Sequence, residues 1–160
     1  MRAAGTTTRR HQPLLIAGGR VLGRYRKRFL TGGETVFTAG NRCPVFESHG
    51  VRFGINICSD TRFPEAAAPV AAGGAQVLLV PAQNMMRRDK ALWWQHRHNQ
   101  IRACRARETG MWLVSADVTG DRDESRTGLG PTCVIDPTGD VVAQVPTGTA
   151  GMVIADIAPV

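Results

Sequence analysis

The order of local signals along the chain predicts an α/β layered fold. Three observations carry that prediction. Short apolar runs alternate with segments of helical character. The segment Val51 to Cys58 alternates with period two: Val51, Phe53, Ile55 and Ile57 face one way, and Arg52, Gly54, Asn56 and Cys58 the other. Pro64-Glu65 and Gly73-Gly74 bracket a helix that lies between two such apolar runs.

The elements follow in order. Residues 1–13 read as a disordered basic arm, because Thr and Arg dominate with no apolar periodicity. Residues 14–160 read as one domain. Leu14 to Ala17, Gly18-Gly19 and Arg20 to Tyr25 read as strand, turn and strand. Thr31 to Glu34 is a loop, and Val51 to Cys58 a strand. The following helix opens at Arg62-Phe63-Pro64-Glu65, with Pro64 in the first turn and Glu65 at the positive end, and runs to Ala72. Gln76 to Val80 is a buried strand ended by Pro81. One long helix is expected from about Lys90 to Glu108, with Trp94, Ile101 and Cys104 on one face and Gly110 ending it. Trp112 to Ala116 is a strand. Thr132 to Ile135 and Val141 to Gln144 form a hairpin around Asp136-Pro137-Thr138-Gly139-Asp140. Met152 to Ile157 is the last expected strand.

Composition excludes several classes. Hydrophobic residues make up 42% of the 160 and charged residues 21%, which argues against disorder over most of the chain. The longest apolar runs are far too short to span a bilayer, so no membrane partner is expected. Cys43, Cys58, Cys104 and Cys133 are too widely spaced for a zinc pattern or a dense disulfide framework, which points to reduced thiols and a cytoplasmic protein. The formal charge of +7 is an N-terminal feature. Residues 1–30 hold eight basic side chains and no acid; the other 130 hold 12 basic and 13 acidic, a net of −1. Of the 20 basic residues 18 are arginine, a compositional bias rather than a nucleic-acid track, so nucleic acid is not expected as a partner.

Two segments carry chemistry. In Gly54-Ile55-Asn56-Ile57-Cys58-Ser59-Asp60 a cysteine leaves a strand at a sharp turn, with a helix soon after. A helix N-terminus aimed at the sulfur would favour thiolate. Read by itself, Cys58 is more readily a small core residue, as free cysteine commonly is. The second segment is Arg24-Tyr25-Arg26-Lys27-Arg28-Phe29-Leu30. Lys27 and Lys90 are the only lysines among 18 arginines, and a compact ammonium is kept where it matters. Alone, it reads as a solvated strand end.

Together the two segments resemble the nitrilase superfamily of carbon–nitrogen hydrolases. The lysine motif is Tyr25-Arg26-Lys27 with Phe29-Leu30. The cysteine motif is Ile57-Cys58, Asp60 and Arg62-Phe63-Pro64-Glu65. Gly33-Glu34 with Phe37 and Gly40, Arg105-Ala106-Arg107-Glu108-Thr109-Gly110, and Asp136-Pro137-Thr138-Gly139 add to it, in order over roughly residues 14–157.

The resemblance implies a nitrilase-like α-β-β-α sandwich, of which this chain carries the C-terminal portion. It implies a cysteine-dependent hydrolase of nonpeptide carbon–nitrogen bonds, amide, carbamoyl or nitrile, working through a thioester or thioimidate with release of ammonia. Cys58 corresponds to the nucleophile and Lys27 to the catalytic lysine. Glu34 corresponds to an accessory glutamate near that lysine. The Ser59 backbone N–H would be a donor to the developing negative charge, and Asn84 would line the substrate pocket. No cofactor and no metal are implied, and a homodimer or other homo-oligomer is. The triad glutamate, the general base, lies upstream of the lysine motif in the family; none of the 26 residues before Lys27 is acidic, so it has no counterpart in this chain. The chain therefore looks truncated at its N-terminus. The alternative reading is a catalytically inactive truncated homologue that serves as an oligomerising or binding module. Ser59 and Phe29 depart from the family's frequent aromatic and histidine at those places.

Other groups read as structural. His96 and His98 are two apart and point about 200° apart on a helix, which disfavours a shared metal. They read as ordinary helix-surface or interface residues, Trp93 and Trp94 as divided between core and interface, and Asp121 to Arg126 as a solvated loop.

Overall fold

The computed structural model describes residues 9–157. Of the expected arm of residues 1–13, residues 1–8 lie outside the described residues. Residues 9–12 are tied down by backbone hydrogen bonds: Thr38 N–H donates to Arg9 O (2.9 Å) and Lys27 N–H to His11 O (3.0 Å).

The first strands are β1 (Leu14–Ala17) and β2 (Arg20–Arg24), an antiparallel pair joined through Gly18 and Gly19. After a long loop come β3 (Phe46–Ser48) and β4 (Val51–Ile55). A 3-10 turn, Cys58–Arg62, leads into α1 (Pro64–Ala72). Then follow β5 (Val77–Pro81), the short β6 (Met86–Arg87), α2 (Arg88–Trp94) and α3 (Arg97–Thr109). The chain closes with β7 (Trp112–Ala116), β8 (Thr119–Asp121), β9 (Arg126–Leu129), β10 (Cys133–Ile135) and β11 (Val141–Gln144).

Six strands form the main sheet in the order β11-β10-β7-β5-β4-β3. Its centre, β4-β5-β7, is parallel, and both flanks are antiparallel. Crossovers through α1 and through α2-α3 link the parallel strands, as parallel pairing requires. Ala67 and Val70 of α1, and Ala103 and Ala106 of α3, pack on Leu78, Val80, Leu113, Cys133 and Ile135 to make the core. The opposite face of the sheet is less covered: Leu79 and Val114 are half-buried. A small sheet, β6-β9-β8, flanks the site.

Several expected elements differ. The strand from Val51 stops at Ile55, because the chain bends there to set up the turn at Cys58. Its two faces are not apolar and polar: Gly54 and Asn56 are as buried as Phe53 and Ile55. Gly54 is needed because a Cβ there would collide with the Val70 side chain of α1. The single helix over Lys90–Glu108 is two helices. The Arg97 side chain donates to Trp93 O, the carbonyl that a continuous helix would offer to the Arg97 N–H. The core face of α3 is Ala103 and Ala106, while Trp94 and Ile101 turn to a cleft. The expected strand Met152–Ile157 does not form, and Met152 and Ile154 are 80% and 82% exposed. No strand lies beside this segment to pair with it among the described residues. The expected loop Asp121–Arg126 is the turn of the β8–β9 hairpin, with Asp121 paired to Arg88 at 2.9 Å.

Candidate active site

Lys27, Glu34 and Cys58 are far apart in sequence and meet at the C-terminal end of the parallel strands, where open α/β sheets hold their ligands. Lys27 is 3% exposed, and its Nζ donates to both Glu34 oxygens, at 2.6 and 2.8 Å. Thr31 N–H adds a third bond to Glu34 (2.6 Å), and His11 Nδ1 lies 3.5 Å from the same carboxylate. Burial by itself would raise the Glu34 carboxyl. The bonds from Lys27 and from the Thr31 N–H outweigh it and hold Glu34 below its ordinary range.

Cys58 sits at the mouth of β4 with φ +48°, in the left-handed region that β-carbon sterics disfavour. Such strain is kept where the surroundings fix it. Thr61 Oγ1 donates to Cys58 O (2.8 Å), and the Asp60 carboxylate takes the Ile57 N–H (2.9 Å). Asp60 is fully buried and also accepts from the Tyr25 hydroxyl (2.8 Å), Arg28 N–H (3.2 Å) and Phe29 N–H (2.8 Å). Ser59 Oγ donates to Phe29 O (2.7 Å). Asp60 and Ser59 thus clamp the cysteine turn to the segment just after Lys27. Burial, with the Asp60 charge beside it, pushes the Tyr25 phenol up, so it stays a donor.

The sulfur lies between two clefts. One, of about 270 Å³, holds Lys27, Glu34, His11 and Gln83. The other, of about 180 Å³, is walled by Thr31, Arg62, Asn84, Trp94, His98 and Ile101. Cys58 Sγ is 3.4 Å from Asn84 Oδ1. Asn84 is held by Asp117, which accepts from its N–H (2.9 Å) and its side-chain amide, and Arg102 anchors Asp117 at 3.2 Å. Arg102 also donates to Pro131 O (2.8 Å) and Ser115 Oγ (3.1 Å).

Burial pushes the Cys58 thiol above its ordinary range, although Lys27 and the Gln83 N–H oppose it. Asp117 adds to the rise and Arg102 opposes it, while α1 begins only at Pro64. His98 is not a helix-surface residue. It stacks on Trp94 (5.3 Å between rings) in the cleft wall, and burial with Arg102 nearby pushes it down to about 4, leaving a neutral imidazole. Trp93 is exposed. Asp117 and Arg102 carry no local sequence sign, since Arg102 reaches Ser115, Asp117 and Pro131 at 13 or more residues' distance and Asp117 reaches Asn84 at 33. Among the described residues no group of three or more His, Cys, Asp or Glu side chains is placed to hold a metal ion.

This architecture and site define a class, and comparison with known proteins agrees. Residues 4–160 match the family model described as carbon-nitrogen hydrolase, and the chain belongs to that family. Its fold is that of the nitrilase superfamily. The chain is 32% identical over 122 residues to the deaminated glutathione amidase of Dictyostelium discoideum, covering 76% of this chain and 40% of that protein. It is 31% identical over 148 residues to the human protein of the same name, covering 84% and 43%. Among solved structures, an amidase from Nesterenkonia sp. superposes with a TM-score of 0.69 at 29% identity, covering 80% of this chain and 47% of that one. Saccharomyces cerevisiae Nit3 superposes at 0.71 with 23% identity, a likeness of fold, covering 82% and 47%. The chain thus spans about half the length of these relatives.

Proposed function

We propose that Cys58 is the nucleophile of a hydrolase acting on small-molecule amides. The observation that supports this most directly is the strained Cys58 turn, which places the sulfur against the Lys27–Glu34 pair and Asn84. Among amide, carbamoyl and nitrile substrates we favour amides, because the two deaminated glutathione amidases and the Nesterenkonia protein named above are amidases. In the proposed reaction Sγ attacks the carbonyl carbon, and the Lys27 ammonium and the Ser59 N–H stabilise the oxyanion. The carbon–nitrogen bond breaks, the nitrogen takes a proton and leaves as ammonia, and water hydrolyses the thioester to free the thiol. Glu34 positions Lys27.

A thiol pushed up by burial needs a proton acceptor. Among the described residues Glu34 is engaged by Lys27, and Asp117 by Arg102 and Asn84. The base in this reading is a carboxylate brought by further polypeptide, of this chain or another; its absence costs ~10²–10⁴ in rate. We further propose a cytoplasmic homo-oligomer, in its simplest form a homodimer. Among the described residues no helix is long and apolar enough to cross a membrane.

Ammonia release from a panel of aliphatic amides tests the reading. The measurement is made on the chain alone and joined to an upstream segment carrying a glutamate. Release by the joined protein that Cys58→Ala abolishes supports it. A folded joined protein that releases none overturns it in favour of a binding module.

A further inference from the structure

Behind the strand that carries Lys27, four arginines meet in one cleft. Along residues 24–27, Tyr25 and Lys27 are buried towards Asp60 and Glu34, while Arg24 and Arg26 alternate to the other side. There they line a cleft of about 650 Å³ with Arg10, Arg42, Thr38 and Asn41. Among the described residues no carboxylate lines it. Arg10, Arg24, Arg26 and Arg42 form no ion pair among the described residues. Arg26 reaches only a neutral acceptor, Gln12 Oε1 at 3.4 Å.

The arginines are not brought together by loose side chains alone. Thr38 N–H to Arg9 O (2.9 Å), Lys27 N–H to His11 O (3.0 Å) and Gly40 N–H to Lys27 O (2.7 Å) knit three segments into the base of the cleft. Gly40 lies so close to Arg26 that a Cβ would collide with its backbone. Guanidinium groups stay charged at any physiological pH. Four of them around one cleft concentrate a positive field that salt screens only in part. Arginine forks bind phosphate oxygens through paired charge-assisted bonds. The charge of the cleft matches a di- or triphosphate group. An extended nucleic acid would need a continuing basic track, and residues 31–160 carry a net charge of −1.

We propose that this cleft binds a compact polyphosphate anion, a di- or triphosphate group, free or carried on a nucleotide. The site is separate from Cys58 and independent of the hydrolase reading. Calorimetric titration of the full chain with inorganic triphosphate should show one site per chain whose affinity falls with salt. Arg24→Gln combined with Arg42→Gln should weaken it by at least ~10-fold, given the strength of charge-assisted bonds. Arg20→Gln, on the exposed β1–β2 turn, also removes a charge and should leave the affinity unchanged. Equal affinity for ATP and triphosphate identifies the phosphate chain alone as ligand; tighter ATP binding identifies a nucleotide. If the double variant misfolds, protection of these four arginines from phenylglyoxal by triphosphate, mapped on the unaltered chain, decides instead. No binding, wild-type binding by a folded double variant, no protection, or preference for duplex DNA that grows with its length would overturn the proposal.

Discussion

Asp60 holds the candidate site together at the scale of single residues. Its carboxylate gathers one hydroxyl and three backbone N–H groups from two segments about thirty residues apart. Asp60→Ala would orphan these buried donors, and a loss of ~3 kcal/mol or more is expected in urea unfolding. Tyr25→Phe removes one donor and should cost ~1 kcal/mol in the same assay. The second prediction concerns Cys58. Burial raises its pKa, so less thiolate exists at a given pH than in an ordinary thiol. Its alkylation, mapped by mass spectrometry, should rise with pH later than that of a free thiol. Lys27→Met removes the cation that opposes the rise, and should move the Cys58 profile further to alkaline pH. Fast selective labelling of Cys58 below pH 7 would contradict both the burial and its sign. Lys27, Glu34, Cys58 and Asn84 could be picked out in the sequence through the family resemblance of their segments, which are short and contiguous. The clamping role of Asp60 and the Arg102–Asp117–Asn84 chain could not, since each joins residues that only the fold makes neighbours.

Elements with a local signature are the ones that appear as expected. Pro64 and Gly73 bracket α1, Gly110 (φ +67°) ends α3, and Asp136 ties the β10–β11 turn through Thr138 and Asp140. The elements that differ depend on tertiary partners. β6, β8 and β9 are short and polar and exist by pairing with one another. The break between α2 and α3 depends on one arginine reaching back to Trp93 O. The segment Met152–Ile157 has strand-like residues, but no described strand pairs with it. The crossing of α1 over β4 gives the third prediction. Gly54→Ala forces its new methyl into Val70, and α1 must lift from the sheet. Overpacking of this kind costs ~1–3 kcal/mol, visible as a lower thermal midpoint. Gly54→Ala with Val70→Ala should recover part of that loss, because the second change empties the space the first one fills.

At the scale of the whole molecule, four of the twelve large apolar side chains exposed among the described residues sit on one short hairpin. Leu14, Ile16, Val21 and Leu22 of the β1–β2 pair are all exposed, and Ile16 and Val21 stand opposite each other across the pair. Met152 and Ile154 are bare, and one face of the main sheet is only half covered. An exposed apolar patch such as the Ile16–Val21 pair is the kind of surface that marks an interaction site. The net charge of +7 works against it, since like-charged chains repel at low ionic strength. Two opposed forces with different salt dependence give the last prediction. Sedimentation of the chain should show self-association that strengthens from low to physiological salt, as the Debye length falls from ~30 Å at 0.01 M to ~8 Å. Ile16→Asp with Val21→Asp should abolish it by placing charge in the apolar pair, although these changes also lower the net charge that drives repulsion. A chain that stays monomeric at every salt and concentration would remove the homo-oligomer from the proposed function. Association that weakens with salt would assign the contact to charge instead of to this hairpin.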